Sequence, residues 1–301
     1  MSFDLKKMLD EKVLIFDGAM GTMLMAAGMA GDEIPESWVF SREEDLIRIH
    51  SEYIDAGADV IQTDTFGASE IKLSSSRQGA GLDPEETNRR AAVLARKARR
   101  RSGDKRVLVA GDIGPAGGFF PPVGKMKEDE VRGNFARQAR ALDQGGVDLF
   151  LIETMTDLRE AVEALRGVKE VSDKPVVVEL TFSRKPKGHF TLMGNTPREA
   201  AEVLAEEGAD MIGANCTLSS SKMIELAREM RSQTKTPLLF QPNAGQPVLE
   251  GKKTLYRQLP ESFAKDIEKI VSAGADAVGG CCGTTPEFIR LIRRKLEGSG
   301  A

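Results

Sequence analysis

The sequence predicts an α/β fold, a single TIM (β/α)8 barrel. Eight short apolar, β-branched runs alternate with longer stretches of helical periodicity along the 301 residues. The runs are apolar throughout rather than at every second position, which marks strands buried on both faces and hence a parallel sheet. A four-residue motif also recurs where helices hand over to strands.

The expected strands are residues 13–18, 59–66, 106–114, 148–155, 175–182, 211–216, 238–245 and 277–283. Between the first two, Leu46, Ile47, His50, Tyr53 and Ile54 share one helical face. Asp83-Pro84-Glu85-Glu86, Thr196-Pro197-Arg198-Glu199 and Thr285-Pro286 carry helix-start chemistry: a capping side chain, then proline at the first helical position. Ala56-Gly57-Ala58-Asp59, Gly145-Gly146-Val147-Asp148, Glu207-Gly208-Ala209-Asp210 and Ala273-Gly274-Ala275-Asp276 form the recurring motif. Its glycine supplies the left-handed residue that closes a helix.

An open doubly wound sheet is the rival architecture. It would show a G-x-G-x-x-G turn after the first strand, and none is present. Residues 118–125 imitate a P-loop with one residue too many, and Met126 stands where Ser or Thr would hold magnesium. No linker divides the chain, so residues 1–301 are read as one domain. The Pro-rich loop 114–125 falls on the active face of a barrel, as a lid or rim. The basic stretch 96–106 reads as a helix C-terminus complementing its dipole.

Net charge is −4, which gives no pull toward nucleic acid or an anionic membrane. No apolar run reaches the roughly 20 residues a membrane span needs. Residues 1–10 lack the apolar core of a secretory signal, so a cytoplasmic location is expected.

The chain has three cysteines, an odd number that argues against a disulfide framework. Cys216 ends the sixth expected strand, and Cys281 and Cys282 end the eighth. All three therefore fall on the C-terminal face of a barrel, where active sites form. Adjacent strand residues point to opposite sides. Cys281 and Cys282 can converge only where the strand turns irregular, which Gly279, Gly280 and Gly283 permit. Three thiolates suit tetrahedral zinc, and the absence of a fourth cysteine leaves the open position of a catalytic site. His50 reads as a helix-face residue and His189 as a loop residue. Met20, Met23, Met25 and Met29 read as filler for core and pocket wall.

These residues resemble the homocysteine S-methyltransferase family, with the greatest likeness to the homocysteine-binding barrel of cobalamin-dependent methionine synthases. The matching segments are Asp17-Gly18-Ala19-Met20-Gly21-Thr22, Thr63-Asp64-Thr65-Phe66-Gly67-Ala68, Gly111-Asp112-Ile113-Gly114-Pro115, Glu153-Thr154, Asn215-Cys216, Pro242-Asn243-Ala244-Gly245 and Gly280-Cys281-Cys282-Gly283-Thr284-Thr285-Pro286. The resemblance implies that Cys216, Cys281 and Cys282 hold zinc and that homocysteine is the methyl acceptor. It implies that Asp17 and Glu153 hold the substrate ammonium, and that amides of Gly18, Ala19, Gly21 and Thr22 hold its carboxylate. Asn243 falls on a residue able to fill the fourth zinc position without substrate. Asp64 stands where the family pattern has asparagine, and it and Asp112 either shape the substrate pocket or bond neighbouring backbone. Asn215 is read as a further substrate-binding residue, though it and Asn243 also fit turns. Asp17 also fits a turn, and Glu153 a rim charge.

Methyl transfer to homocysteine is the expected activity. The donor is read as a methyl-corrinoid, methylcobalamin, carried by a partner protein or module. A small donor such as S-methylmethionine or betaine is the alternative, and a non-catalytic zinc barrel is the third reading.

Overall fold

The computed structural model describes residues 5–104, 106–251 and 253–298. Residues 1–4 of the amino-terminal stretch, Lys105 of the basic segment, and residues 252 and 299–301 of the expected domain lie outside them. The eight central strands are β1 (Leu14–Ile15), β2 (Val60–Gln62), β3 (Leu108–Ile113), β4 (Leu149–Met155), β5 (Val176–Leu180), β6 (Met211–Ser219), β7 (Leu238–Asn243) and β8 (Ala277–Val278). They run parallel in the spatial order β1-β8-β7-β6-β5-β4-β3-β2. A parallel bridge from Phe16 to Val60 joins the two ends of that order and closes the ring. A helix follows each strand: α1 (Glu43–Asp55), α2 (Pro84–Ser102), α3 (Glu128–Gly145), α4 (Leu158–Lys169), α5 (Pro197–Glu206), α6 (Ser220–Arg231), α7 (Pro260–Ser272) and α8 (Pro286–Gly298). The fold is the expected barrel.

The recurring motif has a structural cause. Its aspartate directly precedes strands β2, β4, β6 and β8, and each carboxylate accepts the backbone N–H of the first or second residue of the preceding strand. The bonds are Ile15 to Asp59 at 2.9 Å, and Val109 to Asp148, Val176 to Asp210 and Leu238 to Asp276 at 2.8 Å each. Three of the four aspartates also meet an arginine, Asp59 with Arg293, Asp148 with Arg99 and Asp276 with Arg231. The glycine of each motif, Gly57, Gly146, Gly208 or Gly274, has positive φ, as helix closure requires. Arg99 lies in the last turn of α2, so the basic stretch does cap a helix end and a strand start.

Inward-facing residues alternate along each strand. Leu14, Phe16, Val60, Leu108, Ala110, Leu149, Leu151, Val177, Met211, Leu239 and Ala277 fill the lower interior. Leu5, Met8 and Leu9 of the helix Leu5–Glu11 pack against that cluster. Two residues further along the strands the interior turns polar at Gln62, Asp112, Glu179 and Gln241, and Asn215 follows four residues beyond Met211, all of them buried. A second apolar layer joins the sheet to the helices, with Phe150, Phe240, Phe135 and Phe263 among its members.

The 114–125 loop is a pinned rim. Ala116 donates its N–H to Glu160 at 2.8 Å, and Phe120 is buried beneath the Arg159 guanidinium, 5.0 Å from its ring centre. No helix among the described residues is long and apolar enough to cross a membrane.

Candidate active site and metal centre

Strand ends deliver the candidate site residues to one face of the barrel. Cys216 lies in β6, while Cys281 and Cys282 lie just beyond β8. Their sulfur atoms are all within 4.8 Å of one another, with Cys216 to Cys282 and Cys281 to Cys282 each 3.9 Å apart. The three thiols are half-buried and free. Hydrogen bonds from the other two thiols pull Cys282 far below the usual thiol range, while the same contacts hold Cys281 well above it. Three sulfurs at this spacing fit a single soft metal ion such as zinc.

The adjacent pair converges because β8 ends early, at Val278. Gly283 takes φ +84°, the left-handed turn expected of it. Gly280 has no unusual φ; its reason is space, since a Cβ there would lie 2.5 Å from Thr284 Oγ1. Thr284 ties the turn together, with its hydroxyl donating to the Cys281 carbonyl at 2.7 Å and accepting from the Ala19 N–H at 3.1 Å. Thr22 adds a second tie, its Oγ1 accepting from the Gly283 N–H at 3.1 Å. Gly18 is packed close enough that a Cβ would lie 2.7 Å from Thr284 Oγ1.

The turn after β1 leads into the helix Met20–Ala26, with Ala19 at its N-cap. Ala19 spends its amide on Thr284, which leaves the first-turn amides of Met20, Gly21 and Thr22 ahead of the helical ladder. Met20, Met23 and Met29 pack against the core, but Met25 is exposed on this helix, unlike the filler role expected of it. Met25 and Ala26 are both exposed, whereas Leu24 is buried and Met23 packs against the core.

Carboxylates dominate the remaining wall. Asp17 is buried, and Gln62 engages both its oxygens, through Nε2 at 2.7 Å and the backbone N–H at 3.0 Å. Burial pushes Asp17 up to about 8 despite those bonds. Glu153, half-buried in β4, accepts from Asn215 Nδ2 and from Thr154 Oγ1, and burial raises it to about 7. Asp64 Oδ2 and Asn243 Oδ1 are buried without a hydrogen-bond partner among the described residues, and the buried Asp112 carboxyl hydrogen-bonds to Glu153. Burial holds Asp64 and Asp112 well above the carboxylate range, with Glu36 adding to the first and Glu153 to the second.

Below the carboxylates a hydrogen-bonded chain crosses the barrel. Gln62 Nε2 also donates to Gln241 Oε1 at 3.0 Å, and Gln241 Nε2 donates to Glu179 at 2.7 Å. Sequence reasoning did not single out Gln62, Glu179 or Gln241. A signal was present in Val176-Val177-Val178-Glu179-Leu180, where a charge interrupts a strand that is otherwise apolar on both faces. Neither histidine joins the sulfur cluster. His50 is buried in α1, and His189 sits in the short strand Gly188–Phe190 rather than a loop, its Nδ1 2.7 Å from Glu229.

A family model described as homocysteine S-methyltransferase matches residues 14–296. The chain belongs to the homocysteine S-methyltransferase family. The methionine synthases of Mycobacterium tuberculosis and Mycobacterium leprae are each 31% identical to it, over 96% of this chain and 25% of theirs. The chain thus spans about a quarter of the length of these relatives. The metallated form of the homocysteine methyltransferase MmuM from Escherichia coli superposes with a TM-score of 0.81 at 23% identity, covering 97% of this chain and 99% of that one. At that identity the likeness speaks for a shared fold, in which this member of the family places its three cysteines together.

Proposed function

We propose that this chain transfers a methyl group to the sulfur of homocysteine, giving methionine, on a zinc ion held by Cys216, Cys281 and Cys282. The observation that carries the reading is three sulfurs within 4.8 Å of one another beside a wall of buried carboxylates. Zinc there supplies a site that binds the incoming thiol and favours its deprotonated form.

The chain's own residues select and orient the amino acid. Asp17 and Glu153 accept charge-assisted hydrogen bonds from the ammonium. Asp112, which hydrogen-bonds to Glu153, holds that carboxylate toward the same group. The amides of Gly21 and Thr22 face the carboxylate, with Gly18 and Ala19 shaping the turn that presents them. Asn243 Oδ1, buried and unpartnered, fits an occupant of the fourth position in the absence of substrate. Residues 1–301 act as one domain in this reading, in the cytoplasm.

The donor is a methyl-corrinoid, methylcobalamin, presented by a partner protein or module. The large apolar side chains exposed on the described surface support a macromolecular donor. Met25, Phe40, Phe66, Phe119, Val123, Leu192, Val248, Leu249 and Leu259 all lie between a strand end and the following helix, in the connections of the barrel face that carries the site. Apolar side chains on that face offer surface that a docking protein would cover. A small cationic donor, S-methylmethionine or betaine, is the second reading.

Methionine is measured after incubation with homocysteine and, in separate arms, methylcobalamin, S-methylmethionine or betaine. Turnover with methylcobalamin is expected. Turnover with a small donor alone transfers the reading to that donor, and no methionine in any arm leaves a zinc-binding barrel without this activity.

A further inference from the structure

The family resemblance offers Asn215 as a substrate-binding residue, yet its amide is fully committed to protein. Its Oδ1 accepts the Thr154 N–H at 2.9 Å. Its Nδ2 donates to Thr154 Oγ1 at 2.7 Å and to the Glu153 carboxylate, and lies 3.9 Å from Cys281 Sγ. Asn215 is fully buried in β6, whereas Glu153 and Thr154 belong to β4. Strand β5 lies between these two, so the amide reaches across the end of β5 to join them.

Both ends of this bridge are distorted in the same way. Thr154 has φ +57°, Cys216 φ +58° and Thr217 φ +50°. A β-branched residue in the left-handed region is strained and persists only where its surroundings hold it. Strand register shifts at the same places, between Ile152 and Met155 in β4 and between Asn215 and Ser219 in β6. The distortion at Thr154 turns its N–H toward Asn215, and the distortion at Cys216 follows directly on Asn215 in the chain. Only an amide satisfies both sides, because Oδ1 must accept from a backbone N–H while Nδ2 donates to a carboxylate.

We infer that Asn215 is a positioning residue that locks the ammonium acceptor Glu153 to the metal-ligand strand at Cys216, so that the thiol and amino ends of the substrate are held in one fixed register. The inference rests on the proposed function, and it makes Asn215 a clamp rather than a substrate contact.

The test compares homocysteine with 4-mercaptobutanoate, which has the same thiol and carboxylate but no amino group. N215A is expected to raise KM for homocysteine by 10- to 100-fold with a smaller fall in kcat, and to leave KM for 4-mercaptobutanoate within about twofold. Adding T154G to N215A is expected to recover at least half of that loss on a logarithmic scale, because glycine takes the left-handed conformation unaided. If N215A does not fold, N215D carries the same comparison, since the near-isosteric acid loses the donor to Glu153 and the donor to Thr154 Oγ1. Equal loss on both thiols, or a double variant no better than N215A, overturns the clamp. A wild-type protein that neither binds nor methylates homocysteine sinks the functional reading itself, whereas an active wild type with an unchanged N215A sinks the clamp alone.

Discussion

The sulfurs of Cys216 and Cys282, 66 residues apart in the chain, lie 3.9 Å from one another. Two strand ends on a closed barrel achieve that approach, and neither carries a fourth thiol. The relationship leads to a direct expectation for the metal. C281S should lower zinc affinity by more than about 100-fold and abolish methionine formation, with the fold intact by circular dichroism. Full zinc content and activity in C281S would remove these residues from the metal site.

The acids beside the thiols set the pH dependence. Burial raises Glu153 to about 7 and Asp17 to about 8, so both hold their protons in mildly acidic solution. An ammonium pairs with the charged form, so homocysteine binding should strengthen as pH rises from 6 to 8, by up to about tenfold per unit for each proton released. E153Q should weaken binding and flatten part of that rise. A KM-against-pH profile identical in wild type and E153Q would exclude Glu153 from ammonium binding.

Glu179 carries a stability cost of the opposite pH sense. It is fully buried with Oε1 unpartnered, and burial holds its carboxyl well above the usual range. The folded chain thus keeps a proton that the unfolded chain releases above about pH 4.3. Stability is unaffected below that pH and falls as pH rises toward the folded-state value. E179Q should accordingly melt higher than wild type at pH 8, by roughly 2–4 °C per kcal/mol recovered, with little difference at pH 4.5. Equal melting shifts at both pH values would contradict the burial of an acid that resists ionisation.

The aspartate motif offers a test of the scaffold alone. Asp210 accepts the Val176 N–H with no arginine in contact, so D210A should cost about 1–2 kcal/mol while D210N, which keeps an acceptor, costs less. Urea unfolding of the three proteins makes the comparison. Equal destabilisation by D210A and D210N would argue that charge, and not the hydrogen bond, matters there.

The barrel was legible because its signals are local. The motif glycines at positions 57, 146, 208 and 274 mark helix ends whatever surrounds them, and continuous apolar runs mark doubly buried strands. The thiols were legible because three cysteines gathered at two strand ends, with glycines on either side of the adjacent pair, suit a shared metal ion far better than a disulfide. The rest depended on contacts that no local pattern encodes. Gly280 is required by the hydroxyl of Thr284 rather than by its own φ, and Ala19 loses its amide to that same hydroxyl from the other end of the chain. The bridge from Asn215 to Thr154 crosses an intervening strand, so sequence spacing carries no trace of it.

The central claim is that Cys216, Cys281 and Cys282 clamp one metal ion and leave room for a visiting thiol. X-ray absorption at the zinc edge, with and without homocysteine, tests it most directly. Three sulfur neighbours are expected without homocysteine and four with it, at about 2.3 Å. A sulfur count that does not change when homocysteine is added would contradict the claim.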